Sequence, residues 1–454
     1  MPRRARSRSA DSALDPEAST ALVLAGRALL RGRLQHVEIA IDDRGRIRSI
    51  GKTQDRAPRH DVGDSVILPA ATDMHVHFRD PGGPADAETI ATGTVGAALG
   101  GVTLVGEMPN TRPLVSDVDG WEDKARLVRG RAAVDVLLFA SPSEPRSVVP
   151  LSRRAGGFKV YLSPTTGVEA PPSAAELPAL WNRLAEVGLP VSVHAEDPTR
   201  FASAILPSSP SDWNQARPVA AERSALDLLT AAPRSLRLHT AHVTTGAGAR
   251  HLRASGVSFE ATPHHLLLSD RSGADTRFKV NPPLRPESER QQLWAMFQAG
   301  EVPILASDHA PHPLRLKELP FERAPSGVPG VETSLPLLLA KVRAAELDLS
   351  VLVAAACDRP ARWLGQPFGR LAPGHRANLL VVDFTRRSEV SGRSLRSPCG
   401  WTPFEGWEQI RPVEHYRDGV RVVEAGEYVG RPSGVVVRPE YAPGEALAQL
   451  SPPS

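Results

Sequence analysis

The sequence predicts an α/β fold, a TIM (β/α)8 barrel with a small β-sandwich domain built from both chain ends, on three observations. Short aliphatic or β-branched runs recur eight times, most are followed by Ala/Leu/Arg-rich stretches of helical period, and both flanks alternate like antiparallel strands instead. In order, the eight runs are ATDMHVHF (71–78), GVTLVGEM (101–108), VDVLLFA (134–140), GFKVYL (157–162), PVSVHAE (190–196), RLHTAHV (237–243), VSFEATP (257–263) and PILASDHA (303–310). Before them, ALVLAGRALL and VEIAIDDRGRIRSIG read as strands joined by tight turns; after them, HRANLLVVDF and GVRVVEAGEYV do the same. The chain thus divides into a solvated, disordered leader (1–20), a first β-sandwich portion (21–70), the barrel (71–368), a second β-sandwich portion (369–432) and a Pro-rich tail (433–454) that reads as extended or loosely docked.

Composition narrows the function classes. With 41% hydrophobic residues in 454, the chain can bury a substantial core. Lys+Arg of 54 against Asp+Glu of 51 leaves a net charge of only +3, and outside the leader the two signs are interspersed, so nothing points to nucleic acid. Cys357 and Cys399 are too few for a disulfide framework or a thiolate metal site, which fits the cytoplasm. No apolar run is long enough for a membrane span.

Catalytic residues of such barrels project from the C-terminal strand ends. His75 and His77 end the first run, and a strand's period of two points both to one side, where they can grip one metal. Lys159 lies on the fourth run, His194 on the fifth, His242 on the sixth and Asp308 on the eighth. A lone His-x-His pair also serves structural ends, but here nitrogen and oxygen donors converge on one mouth without thiolates, which suits catalytic zinc. An ammonium has no lone pair, so Lys159 can ligate only after conversion, for example by carbon dioxide to a carbamate whose two oxygens bridge two ions. By alternation His239 faces away from His242 and reads as packing; one of His264 and His265 lines the mouth, and neither is assigned a ligand role.

The motifs DMHVHFRDPGG, EMPNTRP, GFKVYL, VHAE, FEATPHHLLL, KVNPPLR, ASDHAPH, GVPGVETSLPLLL and WTPFEG together resemble the dihydroorotases of the amidohydrolase superfamily. The lysine on the fourth run makes the chain similar to the dihydroorotase domain of the animal multifunctional pyrimidine-synthesis protein, and the likeness runs from about residue 21 to about residue 430. The resemblance implies two Zn2+ ions, one held by His75 and His77, the other by His194 and His242, with carbamylated Lys159 bridging them. It makes Asp308 a ligand and the proton shuttle. For substrate it implies His77, Arg79, Asn110, Asn281 and His312, with backbone groups around Ser326 and Gly327. The reaction implied is the reversible closure of N-carbamoyl-L-aspartate to dihydroorotate in pyrimidine biosynthesis, with a homodimer and an association with aspartate transcarbamoylase as the partners. Two departures stand out: Ala70 replaces a common glycine, and Ala241 stands where relatives with a further metal near the strand-seven glutamate, here Glu260, carry a cysteine, so no third ion is expected.

Two other readings use the same residues. Allantoinases, hydantoinases and dihydropyrimidinases share the binuclear site but act on rings that need no carboxylate clamp such as Arg79. A catalytically silent dihydroorotase-like partner of aspartate transcarbamoylase would lack metal ligands, and none is missing here.

Overall fold

The computed structural model describes residues 18–142 and 144–441; the expected disorder of the leader falls almost wholly outside them. Its strands are β1 (Thr20–Leu30), β2 (Arg33–Asp42), β3 (Ile47–Ile50), β4 (Arg59–Pro69), β5 (Ala71–Val76), β6 (Val102–Glu107), β7 (Asp135–Ala140), β8 (Gly157–Tyr161), β9 (Val191–His194), β10 (Leu238–Thr240), β11 (Ser258–Ala261), β12 (Ile304–Leu305), β13 (Leu379–Val382), β14 (Ser388–Glu389), β15 (Glu408–Gln409), β16 (Glu414–Arg417), β17 (Val420–Glu424), β18 (Glu427–Tyr428) and β19 (Val436–Val437). Strands β5 to β12 pair in sequence order, every pair parallel. The ring is completed at its C-terminal rim, where Val76 bridges His309 and the His77 N–H donates to the His309 carbonyl at 2.7 Å. This is the eight-stranded barrel that the alternation of strand and helix runs predicts.

Period-two alternation sorts the barrel side chains. On β7, Val136, Leu138 and Ala140 join the large cluster beneath the helices, while Leu137 and Phe139 pack with Leu104, Ile304, Trp363 and Phe368 in a separate apolar cluster. On β8, Phe158 and Val160 belong to the large cluster, which turns Lys159 and Tyr161 to the opposite face. The eighth strand is shorter than its sequence run. Only Ile304–Leu305 pairs regularly, because the Asp73 carboxylate captures the Ser307 N–H at 3.0 Å and Asp308 then turns to φ 46°.

Both chain ends build one eight-stranded sheet, ordered β18-β17-β16-β13-β4-β1-β2-β3 and antiparallel except for the parallel β1–β4 pair. Leu24, Ile39, Ile41, Ile67, Leu379 and Tyr416 form its core. A single residue, Ala70, separates β4 from β5, so this sheet fixes the start of the strand that carries His75. The described part of the tail is docked: β19 pairs in parallel with β7, and Tyr441 lies 3.9 Å from the Arg237 guanidinium. No helix among the described residues is long and apolar enough to cross a membrane.

Candidate active site

Five strand ends bring six of the predicted residues together. His75 lies on β5 with His77 just beyond, Lys159 on β8, His194 on β9, His242 two residues past β10 and Asp308 three past β12; all are buried. His242 and Asp308 sit at positive φ, 39° and 46°, as does Arg79 at 62°. Such left-handed backbone at non-glycine residues is unfavourable and persists only where the surroundings enforce it, which is a recurring property of functional sites.

Each histidine is held neutral and, in three cases, in a defined tautomer. Burial pushes His75 down to about 4, with Lys159 adding to the effect, and burial lowers His77, His194 and His242 as well. Glu260 accepts from His75 Nδ1 at 2.6 Å, Asn110 Oδ1 from His77 Nδ1 at 2.6 Å, and Glu196 from His194 Nε2 at 2.9 Å. Burial raises both glutamates, but His75 and His239 beside Glu260, and Arg217 and His194 beside Glu196, hold these carboxyls below their usual range. The remaining ring nitrogens therefore offer lone pairs to a common space, the arrangement that carboxylate–histidine pairs provide at metal sites.

The donor spacing fits metal ions. Donors about 2.0–2.1 Å from one tetrahedral ion stand about 3.3–3.4 Å apart. Asp308 Oδ1 lies 3.1 Å from His77 Nε2 and 3.3 Å from His75 Nε2, and these three residues form a cluster able to hold an ion. His194 Nδ1 and His242 Nε2 face each other at 3.0 Å as a second pair. Lys159 Nζ stands 3.2 Å from His75 Nε2 and 3.4 Å from Ser192 Oγ. Burial lowers this lysine to about 8, so a neutral amine is accessible near neutral pH.

Arg79 approaches the cluster from the loop after β5. It is buried and, among the described residues, has no carboxylate partner: Nε donates to the Pro311 carbonyl at 3.0 Å, and Nη2 lies 3.1 Å from His312 Nε2. Asp80, its neighbour in sequence, instead accepts from the Ile90 N–H. His312 Nε2 is also 2.9 Å from the Ser326 carbonyl. One nitrogen cannot both accept from Arg79 and donate to Ser326, so only one of these contacts is a hydrogen bond at a time.

The other residues expected to meet a substrate are partly committed to the protein. Asn110 Nδ2 donates to the Thr166 carbonyl at 2.9 Å, leaving one amide hydrogen. Asn281 Oδ1 accepts from the Trp213 indole at 3.0 Å, and the Gly327 N–H donates to the Lys279 carbonyl at 2.9 Å.

His239 is more than packing. Its ring lies 4.8 Å from Trp363, but Nε2 also bonds Glu260 at 3.0 Å, the carboxylate that holds His75. Strict alternation does not extend to His242, because β10 ends at Thr240 and the chain turns at His242, whose backbone N–H also meets Glu260. Glu196 and Tyr161 had no role in the sequence reading. Each lies two residues past a candidate ligand, His194 and Lys159, and that spacing was the available signal. The Tyr161 hydroxyl is buried without a hydrogen-bond partner among the described residues. His265 bonds Thr262 Oγ1 and the Pro282 carbonyl, whereas His264 Nε2 has no partner among the described residues.

Three comparisons bear on this geometry. The sequence profile of the amidohydrolase family matches residues 66–409. A dihydroorotase of Halobacterium salinarum is 36% identical over 401 residues, which cover 86% of this chain and 94% of the relative, and one of Thermoplasma volcanium is 33% identical over 92% of this chain and 97% of its own. Among solved structures, the L-hydantoinase (dihydropyrimidinase) of Arthrobacter aurescens superposes with a TM-score of 0.86 at 25% identity, over 92% of this chain and 100% of that one.

Proposed function

Since the chain belongs to the amidohydrolase family and is a hydrolase of cyclic amides, we propose that it is a dihydroorotase, interconverting N-carbamoyl-L-aspartate and dihydroorotate. The observation that carries this reading is Arg79, a buried guanidinium with no carboxylate partner among the described residues, next to a cluster of metal-ligand type. Burial lowers its pKa only to about 10, so it stays charged, and its fork matches a carboxylate with two charge-assisted hydrogen bonds. Dihydroorotate carries one carboxylate; the hydantoin and dihydropyrimidine rings do not.

In this reading His75, His77 and Asp308 would hold one zinc ion and His194 and His242 the other, and Lys159, as its carbamate, would complete the ligand set. When bound, the pair supplies Lewis acidity, acidifying water and polarising the ring carbonyl. The chain's own groups do the rest. Asp308 takes the proton released as water adds to the carbonyl carbon and delivers it to the departing ring nitrogen; ring closure reverses both transfers. Glu260, Asn110 and Glu196 keep three imidazoles in the ligating tautomer. Arg79, with His312 and the last amide hydrogen of Asn110, receives the carboxylate, while Asn281 and the backbone at Ser326 and Gly327 line the far side. A cytoplasmic homodimer and an association with aspartate transcarbamoylase belong to the same proposal.

Replacing Arg79→Ala tests it. The expected result is a KM for dihydroorotate raised about a hundredfold, as loss of a charge-assisted bidentate contact implies, with zinc content unchanged. The hydantoinase neighbour favours a second reading. A wild-type kcat/KM higher for dihydrouracil or allantoin than for dihydroorotate selects it, and absence of turnover with zinc and bicarbonate supplied selects the silent partner.

A further inference from the structure

Lys279 and Lys317 lie outside the metal cluster, both buried, and among the described residues neither makes an ion pair with a carboxylate. Their partners are carbonyls. Lys279 Nζ reaches Phe321 O at 2.6 Å, Ala324 O at 2.8 Å and Glu322 O at 3.5 Å. Lys317 Nζ reaches Pro325 O at 2.9 Å, Gly327 O at 3.2 Å and Lys279 O at 3.3 Å. Three acceptors for each nitrogen match the three hydrogens of an ammonium; a neutral amine would turn its lone pair on a carbonyl oxygen. Aromatic faces complete both cages, Trp213 centred 4.5 Å from Lys279 Nζ and Trp401 5.3 Å from Lys317 Nζ.

The two lysines thus hold five carbonyls of the segment 321–327, and the Gly327 N–H returns to the Lys279 carbonyl at 2.9 Å. That segment carries Ser326, whose carbonyl is 2.9 Å from His312 Nε2 beside Arg79. It also lies hard against the turn after Asp308: a Cβ on Gly327, at φ +134°, would come within 2.5 Å of Ala310 O. A loop of seven residues without regular structure has no ladder of its own, so its position depends on these contacts.

We propose that Lys279 and Lys317 are positioning residues that staple segment 321–327 to the barrel mouth, and that this staple sets the affinity for the anionic substrate by fixing Ser326 and His312 beside Arg79. The choice of substrate rests on the dihydroorotase reading; the staple does not.

The test uses the full-length, metal-loaded enzyme with Lys317→Met, which keeps the stem and removes the donors, and Lys279→Met in parallel. Lys279→Met, which removes the donors to Phe321, Glu322 and Ala324, is read alone if Lys317→Met fails to fold. Two readouts are taken: steady-state kinetics with dihydroorotate, and trypsin cleavage after Arg323, exposed within the segment, mapped by mass spectrometry. Expected are a KM raised about tenfold with kcat changed less than about threefold and metal content unchanged, together with cleavage after Arg323 about tenfold faster while the rest of the map stays as in wild type. Either readout remaining at its wild-type value overturns the proposal. A wild-type enzyme that does not turn over dihydroorotate refutes the substrate assignment instead, and the cleavage rate then decides the staple alone.

Discussion

At the scale of single residues, the site is a set of imidazoles whose free nitrogens are chosen by what binds the other nitrogen. The clearest case is His75, whose Nδ1 proton is held by Glu260 while Glu260 also takes His239 at 3.0 Å and the His242 N–H at 3.3 Å. One carboxylate therefore orients a residue of each metal set. Glu260→Gln keeps the shape but replaces a charged acceptor by an amide; metal affinity is expected to fall about 10–100-fold, read by competition with a chelator, while the fold by circular dichroism is unchanged. Affinity equal to wild type would show that the carboxylate does not orient the ligands. The candidate ligands themselves were legible, because a His-x-His pair and strand-end residues follow from period and position. Their partners were not: Glu260 lies 185 residues from His75, and nothing local marks that a carboxylate and an imidazole will meet.

At the scale of elements, the barrel was legible from eight apolar runs, whereas the shortness of its eighth strand was not, since the Asp73–Ser307 bond that ends it joins residues 234 apart. The tail was legible only in part, for a related reason. Proline and glycine predict extended chain correctly but say nothing of what that chain pairs with. Here β8 meets β7 only at Phe139 and Ala140, and β19 takes the neighbouring positions, Val136 and Leu137, as a wedge. Val435 O accepts from the Val136 N–H at 2.9 Å, and Arg438 bonds the carbonyls of Ser152 and Arg153 just before β8. Ending the chain after Pro432 strips buried β7 groups of these partners at roughly 1–3 kcal/mol each. Such a truncation is expected to lower Tm by several degrees or more and to leave the residual folded protein with its metal, a separation checked by calorimetry and metal analysis. An unchanged Tm would mean that β19 only rests on the barrel.

At the scale of the whole molecule, burying so many neutral histidines ties stability to pH. His75, His265 and His415 are pushed down to about 4 by burial, and His77, His194, His242, His264 and His312 are lowered as well. The unfolded chain has ordinary histidines, near 6.5. Between about 6.5 and 4 the unfolded state therefore binds more protons, so acid favours unfolding, and the stability present above 6.5 is lost as pH falls. Each of the three with a value near 4 contributes roughly 3 kcal/mol by the end of that range, treated as independent. Asp73 works in the opposite sense: burial raises it to about 6, so between about 6 and 4 the folded state takes up its proton first, offsetting about one histidine. Burial raises Glu107, Glu222 and Glu332 in the same sense as Asp73, while Glu196 and Glu260 are held down and add to the loss in acid; with His375 also lowered, nine histidines set the balance. Protein stripped of metal, so that ligand loss does not enter, should show a urea midpoint that is level above pH 6.5 and drops steadily below it. A midpoint unchanged down to pH 5 would mean that the histidines are charged in the folded state, which is incompatible with the lone pairs on which the metal site depends.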